Sequence, residues 1–138
     1  MQITPYVFFN GNARAAKSFY ERVLGAKTLI QMDMAEAPPE FSVPAERKDW
    51  IMHCTLDIDG QHLMLSDDFM ANSPDMAGCS VQLTYDTAAE GKAIFNALAT
   101  DGEIGMPWAA TFWSAGFGSV RDQFGVRWMV GCDEQPTQ

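Results

Sequence analysis

Apolar and polar residues alternate near the end of the chain in the pattern of a half-buried strand. The apolar positions are Val126, Trp128 and Val130, and the positions between them are Arg127, Met129 and Gly131. The preceding residues 122–125 read Asp-Gln-Phe-Gly, in which Asp braces a turn through its side chain and Gly adopts the positive φ that closes it. The pattern therefore predicts a hairpin whose second strand buries one side.

A second hairpin is predicted in the first half of the chain. Residues 52–58 and 61–66 flank Asp59-Gly60, which is a strong two-residue hairpin signal. Pairing across this turn places Met52, Cys54, Leu56, Ile58, Leu63 and Leu65 on one face, which we expect to meet the helices. The other face then carries His53, Thr55, Asp57, His62, Met64 and Ser66.

Each hairpin follows a strand, a helix and a further strand. In the first half, residues 3–9 predict a strand, apolar residues at helical spacing predict a helix from Ala13 to a stop at Gly25, and residues 27–34 predict another strand. In the second half, residues 80–85 predict a strand, and the capping-box pattern of residues 87–90 opens a helix that Gly102 ends. The order predicts an α+β fold of two βαβββ modules, residues 1–71 and 78–134, within one domain spanning residues 1–138.

Charge and composition narrow the classes of partner. The formal net charge of −9 disfavours nucleic acid and anionic membrane surfaces, because binding to phosphate relies on clustered Lys and Arg. No apolar run is long enough to span a bilayer, and no basic-then-apolar leader follows Met1, so we expect a cytoplasmic protein. The three cysteines, Cys54, Cys79 and Cys132, are far apart, which argues against a disulfide framework or a zinc cage.

The mixed face of the first hairpin is the best candidate for a ligand site. It is too polar for a dry core, and such a face is either exposed to solvent or curved around a cavity. We favour the curved arrangement, because Arg127 and Met129 lie on the corresponding side of the last strand. The candidate ligand-binding residues are His53, Met64, Ser66, Gln82, Trp113, Arg127 and Met129.

Each candidate also has a purely structural interpretation. His53 can be an ordinary solvent-facing strand residue, and Arg127 can form a surface ion pair of little energetic value. Trp113 can serve first as a core or interface aromatic. No residue is assigned a catalytic role at this point.

Several motifs spread over nearly the whole chain resemble the PhnB-like branch of the vicinal oxygen chelate (glyoxalase/bleomycin-resistance/dioxygenase) superfamily. They are residues 5–12 (PYVFFNGN), 19–20 (FY), 24–25 (LG), 51–53 (IMH), 65–67 (LSD) and 112–129, which ends in DQFGVRWM. The resemblance implies paired βαβββ modules that form a U-shaped mixed sheet around a cavity, commonly in a homodimer. It also implies a divalent metal, which relatives hold with His and carboxylate side chains from the first and last strands of the modules.

This chain departs from the family at those ligand places. They fall at about Pro5, at Met64, near Val81 and at Met129, although strand alternation would turn Gln82 rather than Val81 inward. None of these residues supplies an imidazole or a carboxylate. His53 and His62 cannot replace them, because four steps along the ladder separate the two by roughly 13 Å. We therefore predict no tightly bound metal and no other cofactor.

The leading hypothesis is a protein that binds a small organic molecule in its sheet cavity without a metal, with its reaction unassigned. One alternative is a metal-dependent lyase, isomerase or dioxygenase of the glyoxalase superfamily whose ligands lie elsewhere in the chain. Another is a structural or regulatory dimer whose cavity is vestigial. No glycine-rich nucleotide-binding loop and no nucleophile elbow is present in the sequence.

Overall fold

The computed structural model describes residues 1–137, which form two four-stranded mixed sheets and two α-helices. The first half contains β1 (Tyr6–Phe9), α1 (Ala13–Leu24), β2 (Lys27–Asp33), β3 (Ile51–Ile58) and β4 (Gln61–Asp67). The second half contains β5 (Val81–Tyr85), α2 (Ala88–Leu98), β6 (Glu103–Ala109), β7 (Phe117–Arg121) and β8 (Arg127–Cys132). The α+β fold with the βαβββ order in each half is as predicted.

The two sheets have the same topology. Their strand orders are β1-β4-β3-β2 and β5-β8-β7-β6, and in each sheet the first and last strands of the module pair in parallel while the other neighbours are antiparallel. The chain divides into two compact units, one formed by Met1–Pro74 and the other beginning at Asp75. Helix α1 packs on β3 and β4 in the first unit, and α2 packs on β5, β7 and β8 in the second.

Local sequence signals set the two hairpin turns. Asp59 and Gly60 both have positive φ, 51° and 82°, as a two-residue turn of the predicted kind requires. In the second hairpin, Asp122 accepts hydrogen bonds from the backbone N–H groups of Phe124 and Val126, and its other carboxylate oxygen accepts from the buried Trp128 indole at 2.9 Å. The register predicted across Asp59-Gly60 is confirmed for the pairs from Ile58–Gln61 to Thr55–Met64.

Helix α1 begins at Ala13 and ends before Gly25, as predicted. Gly25 adopts the left-handed conformation with φ of 65° and closes the C-terminus. Asn12 makes no side-chain capping bond. Instead, Asp67 at the end of β4 accepts hydrogen bonds from Gly11 N and Ala13 N at 2.7 and 3.0 Å, so a residue distant in sequence satisfies the first donors of the helix.

Helix α2 confirms its predicted start, because Thr87 Oγ1 accepts from Glu90 N at 3.2 Å. The helix itself ends at Leu98, and Gly102 closes the following turn by donating to Ala99 O at 2.9 Å. Each helix buries its apolar side against its own sheet. The largest side chains with less than 2% exposure are Tyr20, Ile51, Leu56 and Leu65 in the first unit and Leu98, Val126, Trp128 and Val130 in the second.

A bulge changes one predicted face assignment. The register between β2 and β3 shifts between Met32 and Asp33, where Met32 pairs with His53 and Asp33 pairs with Ile51. The extra residue makes Ile51, which is 0% exposed, continue the helix-facing row. Met52, predicted on that row, instead lines a pocket together with Phe8 and Ser66.

Neither α-helix of residues 1–137 combines the length and the apolar content that a membrane-crossing helix would need.

Candidate functional site

The mixed face of the first sheet is built by residues that are paired across β1, β4 and β3. Tyr6 lies opposite Met64, which lies opposite Thr55, and Phe8 lies opposite Ser66. Paired residues in a sheet share a face, so these side chains and His53, two positions before Thr55, form one surface. We call this surface the ligand face; it consists of Tyr6, Phe8, His53, Thr55, Met64 and Ser66.

Three of these side chains form a hydrogen-bonded chain. The Tyr6 hydroxyl lies 2.9 Å from His53 Nδ1, and His53 Nε2 lies 3.0 Å from Thr55 Oγ1. Tyr6 is 39% exposed and Thr55 is 3% exposed, so the chain runs from solvent into the sheet. The Tyr6 and His53 rings also contact each other, with centroids 5.6 Å apart. His53 is therefore hydrogen-bonded at both ring nitrogens.

A pocket of about 620 Å³ adjoins this chain within the first unit. Its volume is typical of small-molecule sites, which are mostly apolar with a few polar groups. The lining residues are Phe8, Met34, Phe41, Met52, Ser66, Asp67, Asp68, Phe69 and Ser73. Phe8 connects the pocket to the hydrogen-bonded chain, since its ring stacks on that of Tyr6 with centroids 5.0 Å apart.

One wall of the pocket is formed by residues 68–73, which follow β4, and hydrogen bonds hold this wall in place. Asn10 and Ser73 form a reciprocal pair, in which Asn10 Nδ2 donates to Ser73 O at 2.9 Å and Ser73 N donates to Asn10 Oδ1 at 3.0 Å. Ser73 Oγ also donates to Asp68 at 2.7 Å. This bond, together with the backbone N–H of Met70, lowers the pKa of the Asp68 carboxyl. The wall therefore carries a fixed negative charge at its rim.

Arg47, in the loop between β2 and β3, holds the same wall of the pocket. Its guanidinium donates to Phe69 O at 2.7 Å and lies over the Trp50 ring, 4.8 Å from the centroid. Gly11, at φ of 106°, lies directly against Trp50, and a Cβ there would come within 2.7 Å of the indole. The loop between β1 and α1, the loop between β2 and β3 and the segment after β4 are thus held to one another by direct contacts.

The seven candidate residues are divided between the two units. His53, Met64 and Ser66 lie in the first unit, on the ligand face, and of the three only Ser66 is among the described residues that line the pocket. Gln82, Trp113, Arg127 and Met129 lie in the second unit.

In the second unit, Gln82 and Met129 are directly paired between β5 and β8. This pairing places Gln82, and not Val81, on the side of Met129, as strand alternation predicted. Arg127 is exposed at the start of β8 and forms no ion pair within residues 1–137. Trp113 is not in a strand; it lies half-exposed in the loop between β6 and β7 and packs edge-on against Phe117 at 5.8 Å.

The same parallel pairing identifies the residues at the places where the resemblance implies metal ligands. In the first unit the residue beside Met64 is Tyr6, one position after Pro5. In the second unit the residue beside Met129 is Gln82. These pairs supply a phenol and a thioether in the first unit and an amide and a thioether in the second, and neither pair contains the imidazole or carboxylate groups that commonly bind divalent metals in proteins. Within residues 1–137, no group of three or more His, Cys, Asp or Glu side chains could hold a metal ion.

Sequence reasoning missed Tyr6, Phe8, Phe41 and Phe69. Tyr6 and Phe8 belong to a short apolar run that looks like a core strand, yet they are 39% and 57% exposed. Strand alternation could have identified them, because successive residues of a strand face opposite sides. Phe9 is buried, so Phe8 and Tyr6 lie on the other face of β1. Phe41 lies in a proline-flanked 3₁₀ turn, Pro39–Phe41, whose position over the sheet no local pattern encodes.

The chain is similar to several known proteins. The model of the Glyoxalase/Bleomycin resistance protein/Dioxygenase superfamily matches residues 2–130. Protein YjdN of Escherichia coli (strain K12) is 36% identical over the full length of both chains. Among solved structures, protein PA1353 from Pseudomonas aeruginosa is 43% identical with a TM-score of 0.87 and 98% of each chain covered. A PhnB protein from Bacillus cereus is 26% identical with a TM-score of 0.78, covering 96% of this chain and 99% of that one.

Proposed function

Since this chain belongs to the glyoxalase/bleomycin resistance protein/dioxygenase superfamily and has PhnB-like relatives, we propose that it binds a small organic molecule on the ligand face, without a tightly bound metal. The observation that carries the proposal is the pocket of about 620 Å³ beside the Tyr6–His53–Thr55 chain. Its walls of aromatic and Met side chains suit a compact ligand with an apolar or aromatic body.

The polar groups at the pocket limit the chemistry of the ligand. Ser66, 5% exposed, offers a hydroxyl inside the pocket, and Asp68 offers a carboxylate at the rim. Asp67 also lines the pocket, but its oxygens already accept three backbone hydrogen bonds. The ligand we expect is therefore an apolar or aromatic molecule with few polar groups, one of which reaches Ser66.

We also propose that Gln82, Trp113, Arg127 and Met129 contact a ligand within the second unit. The proposal also includes a homodimer, as the family resemblance implies, and the cytoplasmic location expected from the sequence. Native mass spectrometry of freshly purified protein measures oligomer size, retained ligand and metal in one experiment. Stoichiometric zinc, iron or manganese would contradict the metal-free site and favour a metal-dependent lyase, isomerase or dioxygenase.

The binding site itself is tested with a library of small aromatic fragments and amide NMR spectra of ¹⁵N-labelled protein. We expect shifts that cluster at Met52, Ser66 and Phe69. Replacing Phe41 with Ala removes one wall and should weaken the best fragment severalfold. The matched control is Met70→Ala, because Met70 is similarly apolar and 66% exposed but is not a lining residue. Shifts scattered over the surface, or equal losses in the two variants, would refute the site.

A further inference from the structure

The hydrogen-bonded chain on the ligand face has the arrangement of an acid–base relay. We propose that His53 acts through the Tyr6 hydroxyl as a base that takes a proton from a weakly acidic O–H group of the bound molecule. This inference rests on the proposed function, because it requires a ligand in the pocket, and it names the ligand class: an aromatic or enolic hydroxyl compound. It supplies an acid–base element that needs no metal.

The contacts of His53 determine which ring nitrogen is the base. A phenol is a stronger proton donor than an alcohol, so the Tyr6 O–H donates to Nδ1 and the opposite nitrogen, Nε2–H, donates to Thr55 Oγ1. Thr55 is buried and sits on the same strand, so it holds the ring in one orientation. The neutral imidazole thus presents its lone pair to Tyr6 and, through it, to the pocket side.

The sheet neighbours of His53 on the ligand face are uncharged. Across β2 its partner is Met32, and the neighbouring positions of β4 on this face are Met64 and Ser66. His53 forms no ion pair with a carboxylate in the part of the chain that the structure describes, whereas His62 lies 3.8 Å from Asp57. The proton that His53 accepts is therefore balanced by the ligand anion rather than by a carboxylate of the protein.

The position of Tyr6 connects the relay to the pocket. Tyr6 and Phe8 are neighbours on the same face of β1, about 7 Å apart along the strand, and their rings stack. A ligand body against Phe8 and Ser66 lies beside the Tyr6 ring. Tyr6 is not among the described residues that line the pocket, so the relay requires the ligand O–H group to extend past Phe8 to the Tyr6 hydroxyl. The ligand O–H donates to Tyr6 oxygen, as the Tyr6 hydroxyl donates to Nδ1.

Only protons move in the proposed step. The ligand O–H bond breaks and its proton joins the Tyr6 oxygen, while the original Tyr6 proton joins His53 Nδ1. The products are a ligand oxyanion, which accepts a hydrogen bond from the neutral Tyr6 hydroxyl, and an imidazolium that donates to Tyr6 and Thr55. Atoms and electrons balance without an oxidant, a reductant or a metal.

The test uses 4-nitrophenol, an aromatic hydroxyl probe whose anion differs from the neutral form in visible absorbance. Binding is followed independently through the Ser66 and Phe69 amide signals. We expect the ratio of anion to neutral form to be about tenfold higher for bound than for free probe at the same pH, which corresponds to ~1.4 kcal/mol. Tyr6→Phe and His53→Gln should abolish this enrichment when each variant is saturated with probe, as judged by the same amide signals.

The second histidine provides a matched control, because His62→Gln makes the same substitution on the same hairpin but outside the relay. It should retain the tenfold enrichment. Binding without enrichment, or enrichment that survives in His53→Gln, overturns the relay but leaves the proposed binding function intact. Failure of the probe to bind also overturns the relay for phenols, while the fragment screen judges the binding function separately.

A ligand-free measurement tests the same arrangement. In ¹⁵N spectra of the imidazole rings, His53 should carry its proton on Nε2, with Nδ1 unprotonated and hydrogen-bonded. Tyr6→Phe should change the Nδ1 signal of His53 and leave His62 unchanged. A proton on Nδ1 of neutral His53 would contradict the proposal, and unchanged amide spectra elsewhere would show that the variants remain folded.

Discussion

Asp67 joins three segments of the first unit through one buried carboxylate. It is 4% exposed, and its oxygens accept from Gly11 N, Ala13 N and Ile51 N at 2.7, 3.0 and 2.9 Å. Gly11 lies in the loop between β1 and α1, Ala13 begins α1, and Ile51 begins β3. Because a single carboxylate holds these segments together, we expect Asp67 to control the stability of the whole unit.

The magnitude follows from these bonds. In Asp67→Asn the amide oxygen can serve the two donors near α1, but the NH₂ group then faces the N–H of the fully buried Ile51. Loss of that bond costs about 1.5–3 kcal/mol, and the two remaining bonds weaken because their acceptor is neutral. We expect a total of about 3 kcal/mol, a large share of the stability of a small domain.

Urea unfolding, followed by circular dichroism, measures this change through the midpoint. With a slope of about 2 kcal/mol per molar urea, the midpoint should fall by about 1.5 M. The matched control is Asp59→Asn, because Asp59 is exposed in the hairpin turn and Asn tolerates its positive φ. The control should change stability by no more than about 0.5 kcal/mol. Equal midpoints for the two variants would refute the role given to Asp67.

Two further predictions concern thiol reactivity and packing. Burial raises the pKa of the Cys54 thiol, with Lys17 opposing and Glu21 reinforcing the effect, and Cys132 is also buried while Cys79 is exposed. A thiol reagent should therefore modify one cysteine rapidly in native protein and three in urea, and Cys79→Ser should remove the rapid phase; a second rapid thiol would contradict this. A Cβ on Gly116 would overlap the Trp108 ring, so Gly116→Ala should destabilise by about 1–3 kcal/mol in thermal or urea unfolding, with partial recovery in Gly116→Ala/Trp108→Phe. Wild-type stability of the single variant would exclude this overlap.

Part of the candidate site was visible in the sequence because hairpin registers are local. The Asp59-Gly60 turn fixes which residues of β3 and β4 oppose each other. Thr55, Met64 and Ser66 could therefore be placed on one face from the sequence alone. The bulge at Met52 could not be foreseen, because it depends on how β2 fits against β3. The pocket lined by Met52 was therefore missed, and so was its Phe41 wall.

The amino-acid sequence by itself determined the order of strands and helices, the two turns and the duplicated module, since turn residues, caps and periodicity act over a few positions. Tertiary structure alone determined which residue lies beside Met64 and which residue caps α1. Tyr6 meets Met64 and His53, and Asp67 meets Gly11, through contacts separated by more than 40 positions along the chain. Parallel pairing of distant strands has no connecting turn to set its register, so only the packed sheet brings the hydrogen-bonded chain of Tyr6, His53 and Thr55 close to Phe8 and the pocket.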